Sequence, residues 1–209
     1  MKKVVLSIAA LVACALGTTS AVAEDLEILD PQICQAFAQA LIPAAEKIEK
    51  LQVKVEADPE KACGVHKEQV GMILIPHKDI KPENEAVNSD PGAPLAHLFM
   101  STGYFPLVDG KPVEQAKMRE LKIDGQDGTE RKISYLTLAV RHTDDDVWHL
   151  FAYGTDAKPL LDIRIGEGAG PGTQPLALEV KDVEDNTGTA YVTIFDRYQG
   201  SFKIAYKGE

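Results

Sequence analysis

The chain has 209 residues, of which 44% are hydrophobic and 26% are charged, and its formal net charge is −10. This composition is typical of a globular domain and argues against intrinsic disorder. An acidic surface repels phosphate backbones, and no cluster of Lys or Arg interrupts it. Nucleic acid is therefore not an expected partner.

The first 23 residues are predicted to be a cleavable secretory signal peptide. Two lysines follow the initiator methionine, an apolar run covers 4–17, and Ala21-Val22-Ala23 has the small residues that precede a cleavage site. The run is shorter than the about 20 residues of a transmembrane helix, and no later stretch approaches that length. We expect no transmembrane segment and a periplasmic or secreted protein that begins at Glu24.

Cys14 allows a competing interpretation, in which the protein is a lipoprotein. Residues 11–14 read Leu-Val-Ala-Cys, which matches a bacterial lipobox, so that Cys14 would become the acylated first residue. The apolar run continues past Cys14 to Leu16, and this continuation favours cleavage before Glu24.

Cleavage before Glu24 removes two lysines and no acid, so the formal charge falls from −10 to −12.

Two cysteines, Cys34 and Cys63, remain after the leader is removed. An even number of cysteines in an oxidising compartment predicts a disulfide. The bond would close a loop of about 30 residues, which is worth roughly 3–4 kcal/mol. A redox pair or thiolate metal site is less favoured, because the Cys-x-x-Cys spacing is absent.

An amphipathic helix is predicted from Asp30, which is suited to be the N-cap, and Pro31, which is suited to the first helical position. Pro43 is expected to kink or split the helix. Apolar residues recur at spacings of three and four, which predicts one buried stripe. The stripe consists of Ile33, Phe37, Leu41, Ala44, Ile48 and Leu51.

The rest of the chain is predicted to be β-structure. Alternation predicts a strand at 51–55, and composition predicts strands at 70–75 and 95–101, with a long surface loop at 76–94. Turn residues then indicate three hairpins, with turns at 124–128, 144–146 and 184–188. We expect a single α+β domain over 24–209, β-rich from about residue 68. Its N-terminal helix would pack on an antiparallel β-sheet or sandwich of about seven to nine strands.

His142 and His149 are the best candidates for a metal site. If the Asp144–Asp146 turn is symmetric, facing residues have numbers that sum to 289, and the two imidazoles share one face. With Asp144 or Asp146 nearby, they could bind Zn²⁺ or Cu²⁺. The same face carries apolar side chains and no third ligand is identifiable, so two structural histidines are the favoured interpretation.

The same register places Arg141 opposite Trp148 on the exposed face. A cation–π contact is expected there, and an exposed Trp is also suited to stack on a sugar. His66, His77 and His97 are scattered, and each is interpreted as a surface or packing residue.

No catalytic motif is present in the sequence. The glycine-rich stretch 166–172 has Pro171 in place of the third glycine of a dinucleotide fingerprint, and neither Gly-x-Ser-x-Gly nor Ser-x-x-Lys occurs. The sequence therefore favours a non-catalytic binding or structural module without a cofactor. The alternatives are a metal-binding protein that uses His142 and His149, and an unrecognised hydrolase.

We expect the exported protein to begin at Glu24, because Ala21 and Ala23 are the small residues that signal peptidase requires. N-terminal sequencing or intact mass of the protein from the periplasm or the medium measures this directly. Resistance of processing to globomycin separates it from lipoprotein maturation at Cys14. A chain that still begins at Met1 would contradict export.

Overall fold

A computed structural model of the chain describes residues 26–207, apart from 69, 82–83, 125–128, 144–146 and 168–174. Antiparallel β-sheet dominates this part of the chain and is accompanied by one α-helix, so the predicted α+β class is confirmed. Within these residues no helix combines the length and the apolar character needed to cross a membrane.

The helix α1 covers Pro31–Ala45, and three short 3-10 helices cover Pro59–Lys61, Glu85–Asn88 and Gln115–Lys117. Fourteen strands are present in the described residues, more than the predicted seven to nine, because several are short. They are β1 (Glu27–Ile28), β2 (Cys63–Lys67), β3 (Val70–Pro76), β4 (Ala93–Ser101), β5 (Tyr104–Val108), β6 (Lys111–Pro112), β7 (Arg119–Asp124), β8 (Glu130–His142), β9 (Trp148–Tyr153), β10 (Leu161–Arg164), β11 (Gly166–Glu167), β12 (Leu176–Glu184), β13 (Thr187–Ile194) and β14 (Tyr198–Tyr206).

The first sheet is built around β8, which is 13 residues long. Its strand order is β1-β2-β3-β4-β8-β9-β10, and β7 also pairs with β8. One edge of β8 pairs with β4, while the other edge pairs first with β7 and then with β9. β8 is therefore hydrogen-bonded along both edges.

The second sheet has the order β12-β13-β14-β5-β6, and β11 pairs with the start of β14. The predicted hairpin of β12 and β13 is confirmed, with a shorter turn than expected. Glu184 pairs with Thr187, so Asp185 and Asn186 form a two-residue turn. Burial alternates along 176–180 of β12 and 190–194 of β13, as expected for a sheet with one covered face.

Three clusters of buried residues lie around the two sheets. The largest joins one face of the first sheet to residues of the second, and includes Leu98 and Leu136 together with Leu178 and Val192. The second contains residues of the helix and of the first sheet, and the third contains residues of the first sheet and of the segment before β2. The second includes Leu41, Ile75 and Tyr135, and the third includes Val53, Val55 and Phe151.

The helix begins as predicted, but the first half of its buried stripe differs from the prediction. Asp30 accepts a hydrogen bond from the Gln32 amide at 2.8 Å and caps the helix. Ile33 and Phe37 are 46% and 47% exposed, so the prediction is wrong for these two residues, whereas Leu41 is buried as predicted. The later members of the stripe pack against the same cluster, namely Ala44, Ile48 and Leu51. The buried residues are Cys34, Ala38, Leu41 and Ala45. Pro43 lies in the last turn and does not split α1, which ends at Ala45.

The strand predicted at 51–55 is not formed. Val53 and Val55 are buried, as their alternation indicates, but the segment has no ladder partner. Its only pairing among the described residues is an isolated bridge from Ala57 to His77. The prediction was wrong because alternation reports which side chains are buried, whereas a strand also requires a neighbouring backbone.

We expect Gly154→Ala to destabilise the protein by about 1–3 kcal/mol or more, as overpacking does. A Cβ at this position would overlap the backbone carbonyl of Lys117 and lie 2.8 Å from Leu160 Cδ1. Lys117 cannot easily move, because its carbonyl already accepts a bond from the Thr155 amide. Urea denaturation measures the free energy of unfolding.

Gly166→Ala is the matched control, since a Cβ there meets nothing within 4 Å. The control should change stability by less than about 0.5 kcal/mol. Equal stability of the two variants would contradict the close approach of Gly154 to Lys117.

Candidate functional site

The register of β8 and β9 differs by one residue from the prediction. Arg141 pairs with His149, and His142 pairs with Trp148. Opposite residues share a face and consecutive residues alternate, so His142 and His149 lie on opposite faces of the sheet. The predicted histidine pair is therefore not formed, and the metal hypothesis loses its geometric basis.

Thr143 sets this register. Its amide and its hydroxyl both donate to the carbonyl of Val147, at 2.9 and 3.0 Å. Three residues, Asp144 to Asp146, then remain for the turn and lie outside the described residues. In the part of the chain that the structure describes, no group of three or more His, Cys, Asp and Glu is arranged to hold a metal ion.

The contact predicted between Arg141 and Trp148 is also wrong, for the same reason. The Arg141 guanidinium lies 4.4 Å from the centroid of the Phe151 ring and pairs with Asp90. Trp148 lies on the other face, where its ring contacts His142 at 5.1 Å between centroids and packs against the largest buried cluster. Trp148 therefore faces the space that residues of both sheets border.

His149 forms a pair with Asp162 on the face that carries Arg141. Its Nδ1 lies 2.5 Å from Asp162 Oδ1, and its ring stacks on Phe151 at 5.8 Å. A carboxylate that holds Nδ1 is the orienting half of a catalytic triad. The Nε2 atom is buried, however, and has no hydrogen-bond partner among the described residues. The nucleophile that would complete such a site is missing from this arrangement.

His97 is a structural residue of the core. It is 2% exposed, its Nδ1 lies 2.7 Å from the Tyr135 hydroxyl, and it also bonds the backbone of Val55. Burial lowers the pKa of His97 to about 4, and the bond to Val55 offsets only part of this effect. The imidazole is therefore neutral in the folded protein at pH 7.

Cys34 and Cys63 are free thiols in the structure. Cys34 belongs to the helix cluster, while Cys63 packs against the cluster that contains residues of both sheets. Burial, with a smaller contribution from Cys34, raises the pKa of the Cys63 thiol to about 12. Such a thiol is not an activated nucleophile. The predicted disulfide is not formed here and stays a prediction for the exported protein.

Two cavities are bordered by residues of both sheets. The larger one, the Tyr104 cavity, has a volume of about 240 Å³. The rings of Tyr104 and Tyr206 lie in its wall with centroids 4.9 Å apart and planes tilted by 42°, and burial raises the pKa of Tyr104 to about 12. Its border carries charges of both signs, from Lys67, Glu68 and Asp185. This mixed border does not single out one class of ligand.

The smaller cavity, the Trp148 cavity, has a volume of about 90 Å³ and an almost entirely apolar surface. The β8–β9 hairpin supplies Val140 and Trp148, and the loop after β3 supplies residues on the opposite side. The turn between β13 and β14 completes the wall with aromatic rings. The lining residues are Ile80, Lys81, Val87, Leu95, Val140, Trp148, Ile165, Ile194, Phe195 and Tyr198.

The sequence predicted some of the segments that line the Trp148 cavity, but it did not predict that they meet there. The loop predicted at 76–94 borders it through Ile80, Lys81 and Val87, and Ile165, which directly precedes the glycine-rich stretch, also lines it. The register of β8 and β9 decides which face of the sheet carries Trp148, and a shift of one residue would place it on the other face. The apolar pair Val140 and Leu150, directly opposite each other, was the signal that could have selected the correct register.

The size of the Trp148 cavity limits what it can hold. A cavity of about 150 Å³ binds benzene, so a volume of about 90 Å³ suits an aliphatic group of roughly three or four carbon atoms. Trp148 is the only tryptophan of the chain. Its fluorescence therefore reports on this cavity alone.

Comparisons with known proteins give no relative for this chain. A scan against protein-family models, a search of the curated proteins and a search of the solved structures each found no match. Function is therefore inferred from the geometry and chemistry of the site itself.

We expect the stability of the protein to fall between about pH 6.5 and pH 4 because of His97. In the unfolded chain the pKa of His97 is 6.5, and in the folded protein burial lowers it to about 4. The unfolded state therefore binds more protons in this window. The stability is complete above pH 6.5, and about 3 kcal/mol of it is lost as the pH falls towards 4.

Urea denaturation of the wild type and His97→Gln at several pH values gives the free energy of unfolding as a function of pH. The contribution of His97 is the difference in slope between the two profiles. His66→Gln is the control, because His66 is partly exposed and does not belong to the buried network. Parallel pH profiles for the wild type and His97→Gln would show that His97 titrates normally.

Proposed function

We propose that the chain is an exported, non-catalytic binding module that takes up a small apolar group in the Trp148 cavity. The observation that carries the proposal is the composition of the cavity wall, in which nine of the ten lining residues are apolar or aromatic. Burial of apolar surface is the main source of affinity in such sites. The two loops that border the cavity would admit the ligand.

The proposal includes a sandwich architecture. The two sheets would pack face to face, with α1 against the outer face of the first sheet. Support comes from the largest buried cluster, which contains Leu136 of one sheet and Val192 of the other, and from the cluster of Leu41 with Ile75. In this arrangement the Trp148 cavity lies where loops from both sheets meet, a common place for a ligand site.

The cellular setting is part of the same proposal. The predicted leader directs the chain to the periplasm or the medium as one domain over 24–209, where the Cys34–Cys63 disulfide could form. The cluster shared by both sheets supports a single domain, because domains are defined by their own core. The acidic mature chain remains unsuited to nucleic acid.

The wall of the Trp148 cavity favours binding over catalysis. General acid–base and covalent catalysis use His, carboxylate, Ser, Cys, Lys or Tyr side chains within reach of the substrate. Of these types, only Lys81 and Tyr198 are among the described lining residues. No His or carboxylate of this described wall stands beside them to activate either group, which favours ligand binding.

We expect hexanol to bind saturably and to change the emission of Trp148. Val87→Phe should weaken this binding at least about tenfold, because the new ring fills the cavity and burial of three methylene groups is worth about 2 kcal/mol. Tryptophan fluorescence titration gives the affinity, and isothermal titration calorimetry confirms it.

Val183→Phe is the matched control, since Val183 lines the Tyr104 cavity instead. It should leave hexanol affinity unchanged, and thermal melting should show that both variants fold. An unresponsive Trp148, or equal affinity in the wild type and Val87→Phe, would refute the proposed site.

A further inference from the structure

Lys81 is the one charged residue in the wall of the Trp148 cavity. It lies in the loop after β3 and is exposed. Other lysines of the chain, such as Lys122 and Lys132, form ion pairs with glutamates at 2.7 and 3.0 Å. Lys81 forms no ion pair within the described residues, so its ammonium group is available to a ligand.

Arg197 is a second cation close in the chain to residues of this cavity wall. It lies in the turn between β13 and β14, and its guanidinium is 5.2 Å from the centroid of the Tyr198 ring. Arg197 does not itself line the cavity, but Phe195 and Tyr198 on either side of it do. Among the residues that the structure describes, no acid forms an ion pair with Arg197.

These two cations lie in an acidic chain. The chain as a whole carries a net charge of −10, and some of its cations, such as Lys61 and Arg141, pair with acids. The acid closest by register is Glu167, which is opposite Tyr198 in β11 and pairs with neither cation in the described structure. Cations beside an apolar wall attract an anion more strongly than cations in open water do.

We infer that the ligand of the Trp148 cavity is a free short-chain carboxylic acid. Its alkyl end occupies the apolar cavity, and its carboxylate lies between Lys81 and Arg197. An ammonium and a guanidinium are the side-chain groups that form charge-assisted hydrogen bonds with a carboxylate. This inference rests on the proposed function and adds to it the chemical class of the ligand.

The test compares three six-carbon probes, namely hexanoate, hexanol and hexylamine, by titration of Trp148 fluorescence at pH 7. Hexanoate should bind about tenfold more tightly than hexanol, and hexylamine should bind most weakly. Lys81→Gln and Arg197→Gln should each lower hexanoate affinity about two- to fivefold, the effect of one exposed charge pair. Hexanol affinity should not change in either variant.

The double variant should bind hexanoate and hexanol equally. Lys203→Gln is the matched control, because Lys203 is an exposed cation of β14 outside the cavity wall. It should leave the preference for hexanoate intact, since the net charge changes while the site does not.

The two proposals fail in different ways. Equal affinity of the wild type for hexanoate and hexanol would overturn the carboxylate inference and leave the apolar site standing. An equal loss of hexanoate affinity in Lys81→Gln and Lys203→Gln would also overturn it, because it would show a general charge effect. No response of Trp148 to any of the probes would remove the proposed function itself.

Discussion

The hydrogen bonds between Thr143 and Val147 fix the register of β8 and β9, and much of the molecule depends on that register. β8 is the central strand of the first sheet, with β4 on one edge and β7 and β9 on the other. A shift of one residue would move every side chain of β9 to the opposite face. Leu150 and Ala152 would leave the largest buried cluster, while Phe151 and Tyr153 would enter it.

The two faces of this hairpin consequently carry different chemistry. On one face Trp148 and Val140 border an apolar cavity. On the other, Arg141, His149 and Asp162 form polar contacts around the ring of Phe151. Apolar and polar groups are thus separated by the thickness of one sheet, because consecutive residues of a strand point to opposite faces.

Local signals in the sequence predicted much of the fold. The cap at Asp30 and the strands β3 and β4 follow from residues that are neighbours in the chain. The position of Trp148 did not, because the Asp-rich turn permits two registers and the choice requires the pairing of Val140 with Leu150. The Trp148 cavity is less predictable still, since its wall combines residues of β4, β8, β9, β13 and β14 with residues of three connections between strands. Contacts between residues distant in sequence leave no periodic pattern.

The buried face of the helix was likewise not predictable from local sequence. α1 contains no charged residue, so two apolar stripes are available and the bulkier one, with Ile33 and Phe37, was the natural prediction. The face opposite the helix already supplies large side chains, among them Phe99 and Tyr135. Interiors are packed to constant density, so small residues must fill what remains. Cys34 and Ala38 are buried because of the volume of their partners, a property that the helix sequence does not contain.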